Sequence, residues 1–154
     1  MAIKIDLSNT YKEGDKIFGN IYFENDDVIF PEKNWNDFVV VIVNWWSESL
    51  YRLINNETVS EELEFMDGPL SIKINFFNEN KFDLFFVNNG KVQFNTNVKM
   101  DEFVGLFIKE LNSLIRFIND NNWENNDVTL LKSNYKKLSD EFRSMSLNRN
   151  NGSN

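Results

Sequence analysis

Apolar and polar residues alternate along the first segment. Ile3, Ile5 and Leu7 face one way and Lys4 and Asp6 the other, which predicts a half-buried strand over Ala2–Leu7. Glu13-Gly14-Asp15 is a turn, after which Ile17, Gly19, Ile21 and Phe23 alternate with Phe18, Asn20, Tyr22 and Glu24. The two runs predict a hairpin. Asn25-Asp26-Asp27 closes it, and Pro31-Glu32-Lys33-Asn34 is a loop.

The next stretch reads two ways. Phe38–Val43 is continuous and β-branched, as in a buried central strand. Yet apolar residues recur at Phe38, Ile42, Trp45, Trp46, Leu50, Leu53 and Ile54, which is helical spacing, and the run is long for a strand. A helix of about five turns from Asp37 to Ile54 is the expectation, with Asn36 or Asp37 capping its start and Asn55-Asn56 ending it.

A period of two returns at Glu61. Leu63 and Phe65 alternate with Glu62, Glu64 and Met66, and Asp67-Gly68-Pro69 turns the chain. Leu70, Ile72, Ile74 and Phe76 share one face of the next strand, and Lys73 and Asn75 the other. Phe82, Leu84 and Phe86 follow, then Asn89-Gly90, a strong hairpin signal, then Val92 and Phe94, with Lys91 and Gln93 outward. Met100–Ile118 reads as an amphipathic helix through Phe103, Phe107, Leu111, Leu114 and Ile118, with one acidic intruder, Glu110, on the apolar face. A further helix over Asp127–Met145 carries Leu130, Leu131, Tyr135, Leu138 and Phe142. The order ββ–α–ββββ–αα predicts an α+β domain over 1–146, an antiparallel sheet of about six strands with helices on one face, and a flexible polar tail over 147–154.

Chemistry narrows the picture by what is missing. The chain has 154 residues, no histidine and no cysteine. The commonest general base and the thiolate nucleophile are therefore absent. No serine has a histidine partner anywhere in the chain, and no glycine-rich phosphate loop occurs. The acidic groups Asp26-Asp27, Glu61-Glu62-Glu64 and Asp101-Glu102 lack the spacing of a calcium loop. The expectation is a non-enzyme without metal or cofactor. Asp+Glu outnumber Lys+Arg by 24 to 16, a net charge of −8, and the lysines are scattered. Nucleic acid and anionic membrane surfaces are poor partners for such a chain, and a basic protein is a better one. Asparagine is the commonest residue and alanine occurs once, at Ala2, which reads as coding bias rather than selection. The N-terminus shows no basic region followed by an apolar run, so a cytoplasmic location is expected.

Aromatics are the remaining signal, with 4 Trp and 15 Phe. Trp45 and Trp46 lie about 100° apart on a helix, so one is expected in the core and the other free to anchor a partner. Glu62 and Glu64 share an outward strand face and are the acids expected to meet a basic partner. Trp35, Asp37 and Phe38 are expected to form the structural entry to the helix.

The stretch Phe30-Pro31-Glu32-Lys33-Asn34-Trp35-Asn36-Asp37-Phe38, followed by Trp45-Trp46 and later by Asp67-Gly68-Pro69, resembles a pattern in small bacterial proteins. Such proteins are similar to the immunity proteins of polymorphic and contact-dependent toxin systems. The resemblance implies a cytoplasmic, non-catalytic inhibitor of a toxin, and it brings no agreed binding residues. A secretion chaperone or adaptor is the alternative, and an enzyme relying on carboxylates or a metal is the third.

Overall fold

A computed structural model describes residues 2–26 and 28–151, so the Asp27 half of the Asp26-Asp27 pair lies outside the described residues. Over the described residues the chain folds as α+β, with antiparallel sheets and three helices. The elements are β1 (Ala2–Glu13), β2 (Lys16–Glu24), β3 (Ile29–Phe30), β4 (Asn36–Asp37), α1 (Val39–Ile54), β5 (Ser60–Glu64), β6 (Leu70–Asn78), β7 (Lys81–Asn88), β8 (Lys91–Lys99), α2 (Met100–Asp120) and α3 (Asn126–Asn151).

One expectation is corrected at the level of architecture. The strands form two four-stranded sheets rather than one sheet of six. The first joins β1 to β2, and the other side of β2 takes both β3 and β4. The second is a meander in the order β5-β6-β7-β8. Alternation identifies a buried face but not which strands share a sheet, and two-residue strands such as β3 and β4 are too short to show a period.

The register of the meander is as expected. Ile72, Ile74, Leu84 and Phe86 are buried on one face, while Lys73 is exposed on the other. Phe94 is half-buried and stacks on Phe86, its cross-strand partner, with ring centroids 4.3 Å apart. Aromatic rings also tie the sheets together. Phe23 of β2 lies 4.7 Å from Phe86 of β7, and Phe30 of β3 lies 5.3 Å from the same ring. The core continues into Phe103, Phe107 and Leu111 of α2.

The helical reading of residues 38–54 holds, with the helix beginning at Val39. Its β-branched start packs on both sides, leaving Val39, Val40, Ile42 and Val43 buried. Burial outweighs the weak helix propensity of these residues. α3 packs on α1 and α2. Asn44 fixes the α1–α3 pairing: its amide donates to the Asp127 carbonyl (3.0 Å) and its oxygen accepts from Asn134 (3.0 Å). Leu131 and Leu138 of α3 are buried, but Leu130 is exposed, so the apolar face of α3 is narrower than expected. The helical backbone runs past Met145 to Asn151, through much of the stretch expected to be a tail.

Turn chemistry gives some asparagines a conformational role that coding bias does not cover. Asn34, Asn56, Asn89 and Asn122 all have positive φ, a region that asparagine enters more readily than most residues. Asn89 (φ 53) and Gly90 (φ 78) make the two-residue β7–β8 turn. Gly19 is required for space: a Cβ there would lie 2.9 Å from Thr10 Oγ1, under the irregular stretch of β1 between Asp6 and Tyr11.

The acidic intruder on α2 has a structural use. Glu110 Oε2 accepts the backbone N–H of Ile5 (3.3 Å), so the helix covers the open edge of β1. Burial raises the Glu110 pKa above the usual carboxylate value, against the Ile5 hydrogen bond and the nearby Lys4 and Lys109, which lower it. A raised carboxyl contributes stability that is fully present below the unfolded-state value and is lost as pH rises through the folded-state value. Glu110→Gln keeps an acceptor for Ile5 and removes the charge. Urea unfolding between about pH 4 and about pH 8 should show a shallower loss of stability with pH in the variant. At the alkaline end the variant should equal or exceed the parent by under about 1 kcal/mol, because the carboxylate remains partly solvated.

Candidate functional site

The two adjacent tryptophans divide as their helical spacing requires. Trp46 is 0% exposed and its Nε1 donates to the Glu64 carbonyl at 2.8 Å. Its ring meets Phe65 edge-on at 5.1 Å. It is a core residue, so it is not a direct contact for a partner. Trp45, one position earlier, is 40% exposed. Glu48, Ser49 and Arg52 follow it at i+3, i+4 and i+7, along one face of α1.

β5 runs beside this helix face. Leu63 is buried, so alternation turns Glu62 and Glu64 to the opposite side, where both are exposed. Glu61, on the Leu63 side, takes the guanidinium of Arg52, with Nε 2.7 Å from its Oε1. Arg52 also donates to Ser49 Oγ (3.2 Å), and Ser71 Oγ donates to Glu62 Oε1 (2.6 Å).

The result is a groove of about 340 Å³ lined by Trp45, Glu48, Ser49, Arg52, Glu62 and Glu64. Three of the four residues expected to bind a partner, Glu62, Glu64 and Trp45, therefore meet at one surface. Arg52 is neutralised by Glu61, while among the described residues Glu48, Glu62 and Glu64 form no ion pair. The groove thus offers an exposed indole amid carboxylates. The sequence signal for Glu48, Ser49 and Arg52 is their i+3, i+4 and i+7 spacing from Trp45 on the helix.

The second cluster read from the sequence is structural, and its mechanism differs from the one expected. Asp37 is 6% exposed and does not cap α1 in the usual way, for the helix has no side-chain cap and Phe38 stands at its N-cap. Its carboxylate instead accepts from Trp35 Nε1 (3.0 Å), from the backbone N–H of Phe38 (2.8 Å) and from that of Met66 (3.2 Å). The reason is position: Asp37 is itself in β4, paired with Gly19 of β2, so its side chain turns toward the β5–β6 connection. The Phe30–Phe38 stretch and the Asp67-Gly68-Pro69 turn, distant in sequence, are thereby stapled together. Trp35, Asp37 and Phe38 line a shallow recess with Phe18, Met66 and Asp67.

A larger recess, about 530 Å³, lies beyond the end of α1 among Ile54, Val59, Phe76, Met100 and Met145, and Glu79 is its one ionisable lining residue. Size and chemistry thus point to different places. The smaller acidic groove has the convergent polar groups. No cluster of three or more acidic side chains able to hold a metal ion occurs among the described residues. No helix among them is long and apolar enough to cross a membrane. No protein-family model, curated protein or solved structure matches the chain.

Asp37 is a strong test of the staple. Asp37→Ala strips partners from the Trp35 indole and from the Met66 N–H, so it should cost about 2–4 kcal/mol in chemical denaturation, more than the ~1 kcal/mol of a helix cap. A loss of 1 kcal/mol or less would show that water replaces the carboxylate.

Proposed function

We propose that the chain is a non-catalytic protein-binding domain, an immunity-type inhibitor that neutralises a basic toxin partner. The observation that carries this reading is the groove between α1 and β5, where the exposed Trp45 stands beside Glu48, Glu62 and Glu64. An indole face flanked by carboxylates suits an arginine or lysine side chain, which gains from both the ring quadrupole and the negative charge. The net charge of −8 adds steering of a cationic partner toward the molecule. The resemblance of the Phe30–Phe38 stretch to immunity proteins supports the same reading.

The test is neutralisation. The product of the neighbouring gene is expressed with and without this chain, and growth is scored. Rescue by the parent chain is expected. Trp45→Ala and the pair Glu62→Gln, Glu64→Gln should weaken rescue while keeping the parent's circular dichroism, since all three side chains are exposed and glutamine still accepts from Ser71 Oγ. With purified proteins, the association rate should fall as salt rises, because steering is screened. Full rescue by both variants would remove the groove from the interface. A harmless neighbour that nevertheless needs this chain for secretion would favour a chaperone or adaptor.

A further inference from the structure

The long strand edges are treated unequally. The open side of β1 meets α2, where Glu110 accepts the Ile5 N–H. The open side of β5 faces α1, where Trp46 takes the Glu64 carbonyl. The far side of β2 is occupied by β3 and β4. β8 pairs with β7 on one side and, among the described residues, with no strand on the other. It is nine residues long, and Val92, Gln93, Asn95 and Asn97 are exposed.

The phase of its ladder says which backbone groups are open. The Met100 N–H bonds the Asn80 carbonyl, so in the antiparallel ladder Val98, Thr96 and Phe94 also direct their backbone groups to β7. Asn95 and Asn97 direct theirs outward. Natural edges are protected by charges, proline, bulges or a covering element. Here the charges stand only at the ends, Lys91 and Lys99, and the extra residue at Gln93 leaves Phe94–Lys99 regular.

We propose that β8 is a self-complementary edge through which two copies of this chain pair antiparallel about a two-fold axis at Thr96, joining their four-stranded sheets into one. In that register Asn95 exchanges both backbone hydrogen bonds with Asn97 of the second copy, and their amides lie side by side. Thr96 meets Thr96, and Phe94 meets Val98, pairs of the kinds that stabilise sheets. Lys91 comes alongside the start of the second copy's α2, where Asp101 and Glu102 are exposed. Centring the pairing at Asn95 instead sets Lys91 opposite Lys99, and like charges repel. Isologous pairing of this kind closes on itself and yields a dimer rather than a fibre. The inference is independent of the toxin reading, because the groove lies at β5, the other edge of the sheet.

Sedimentation equilibrium from about 1 μM to about 1 mM tests it. The parent chain should pass from monomer to dimer over this range. Asn95→Lys with Asn97→Lys places lysines opposite lysines only in the dimer, since within one copy these exposed positions stand beside Phe85 and Asp83 of β7, and should remain monomeric with unchanged circular dichroism. Asn95→Glu with Asn97→Glu should behave the same alone, and an equimolar mixture of the two variants should restore the dimer. Asn95→Pro removes only an outward N–H and should also abolish pairing. A parent chain that stays monomeric to the highest concentration overturns the proposal. So does a dimer that survives the lysine variant, or a mixture of the charged variants that fails to associate.

Discussion

Trp46 is the side chain on which the placement of the other elements turns. Its indole is fully buried between α1 and β5, meets Phe65 edge-on, approaches Phe107 of α2 and donates its one polar hydrogen to the carbonyl of Glu64. A buried indole left without that acceptor would lose roughly 1–3 kcal/mol, so the hydrogen bond selects one position of β5 against the helix. The same bond removes a carbonyl from the strand's open edge. Trp45, rotated out of the core by one residue, is consequently held opposite Glu62 and Glu64. The groove is thus a by-product of how the core is fastened.

Charge is distributed with a similar economy. Arg52 binds Glu61, Lys137 lies over the Tyr51 ring at 4.2 Å, and Lys136 pairs with Asp140, whose pKa the Lys136 hydrogen bond lowers. Arg52, Lys136 and Lys137 are in this way engaged locally, while among the described residues Glu48, Glu62 and Glu64 form no ion pair. The two surface pairs on α3 add little stability, as exposed ion pairs do.

Much of the fold was legible because burial imposes periods. The α1 register, the inward faces of β6 and β7, and the split between Trp45 and Trp46 all follow from counting residues. What was not legible depends on contacts between distant segments. Nothing local tells that β1 and β2 form one sheet and β5–β8 another, since both runs alternate alike. Asp37 has the sequence context of a helix cap, and only its pairing in β4 with Gly19 redirects the carboxylate to Met66. Glu110 breaks an apolar helix face for a reason visible only once Ile5 is beside it. In the groove, Glu62 and Glu64 could be placed on one face by alternation. That they would oppose Trp45 required knowing where β5 docks.

The strand pairings themselves have a kinetic consequence. β1 with β2, and each neighbouring pair in the β5–β8 meander, are consecutive in the chain and joined by short turns. Closing such loops costs little entropy, and low sequence separation of contacts accompanies fast folding. Each sheet can therefore assemble from its own hairpins. The expensive event is the meeting of the two sheets at Phe23, Phe30 and Phe86, across a span that contains all of α1. The rate-limiting barrier should accordingly reside in helix-mediated docking of preformed hairpins, with the Phe30–Phe86 contact late and the Asn89-Gly90 turn early along the path.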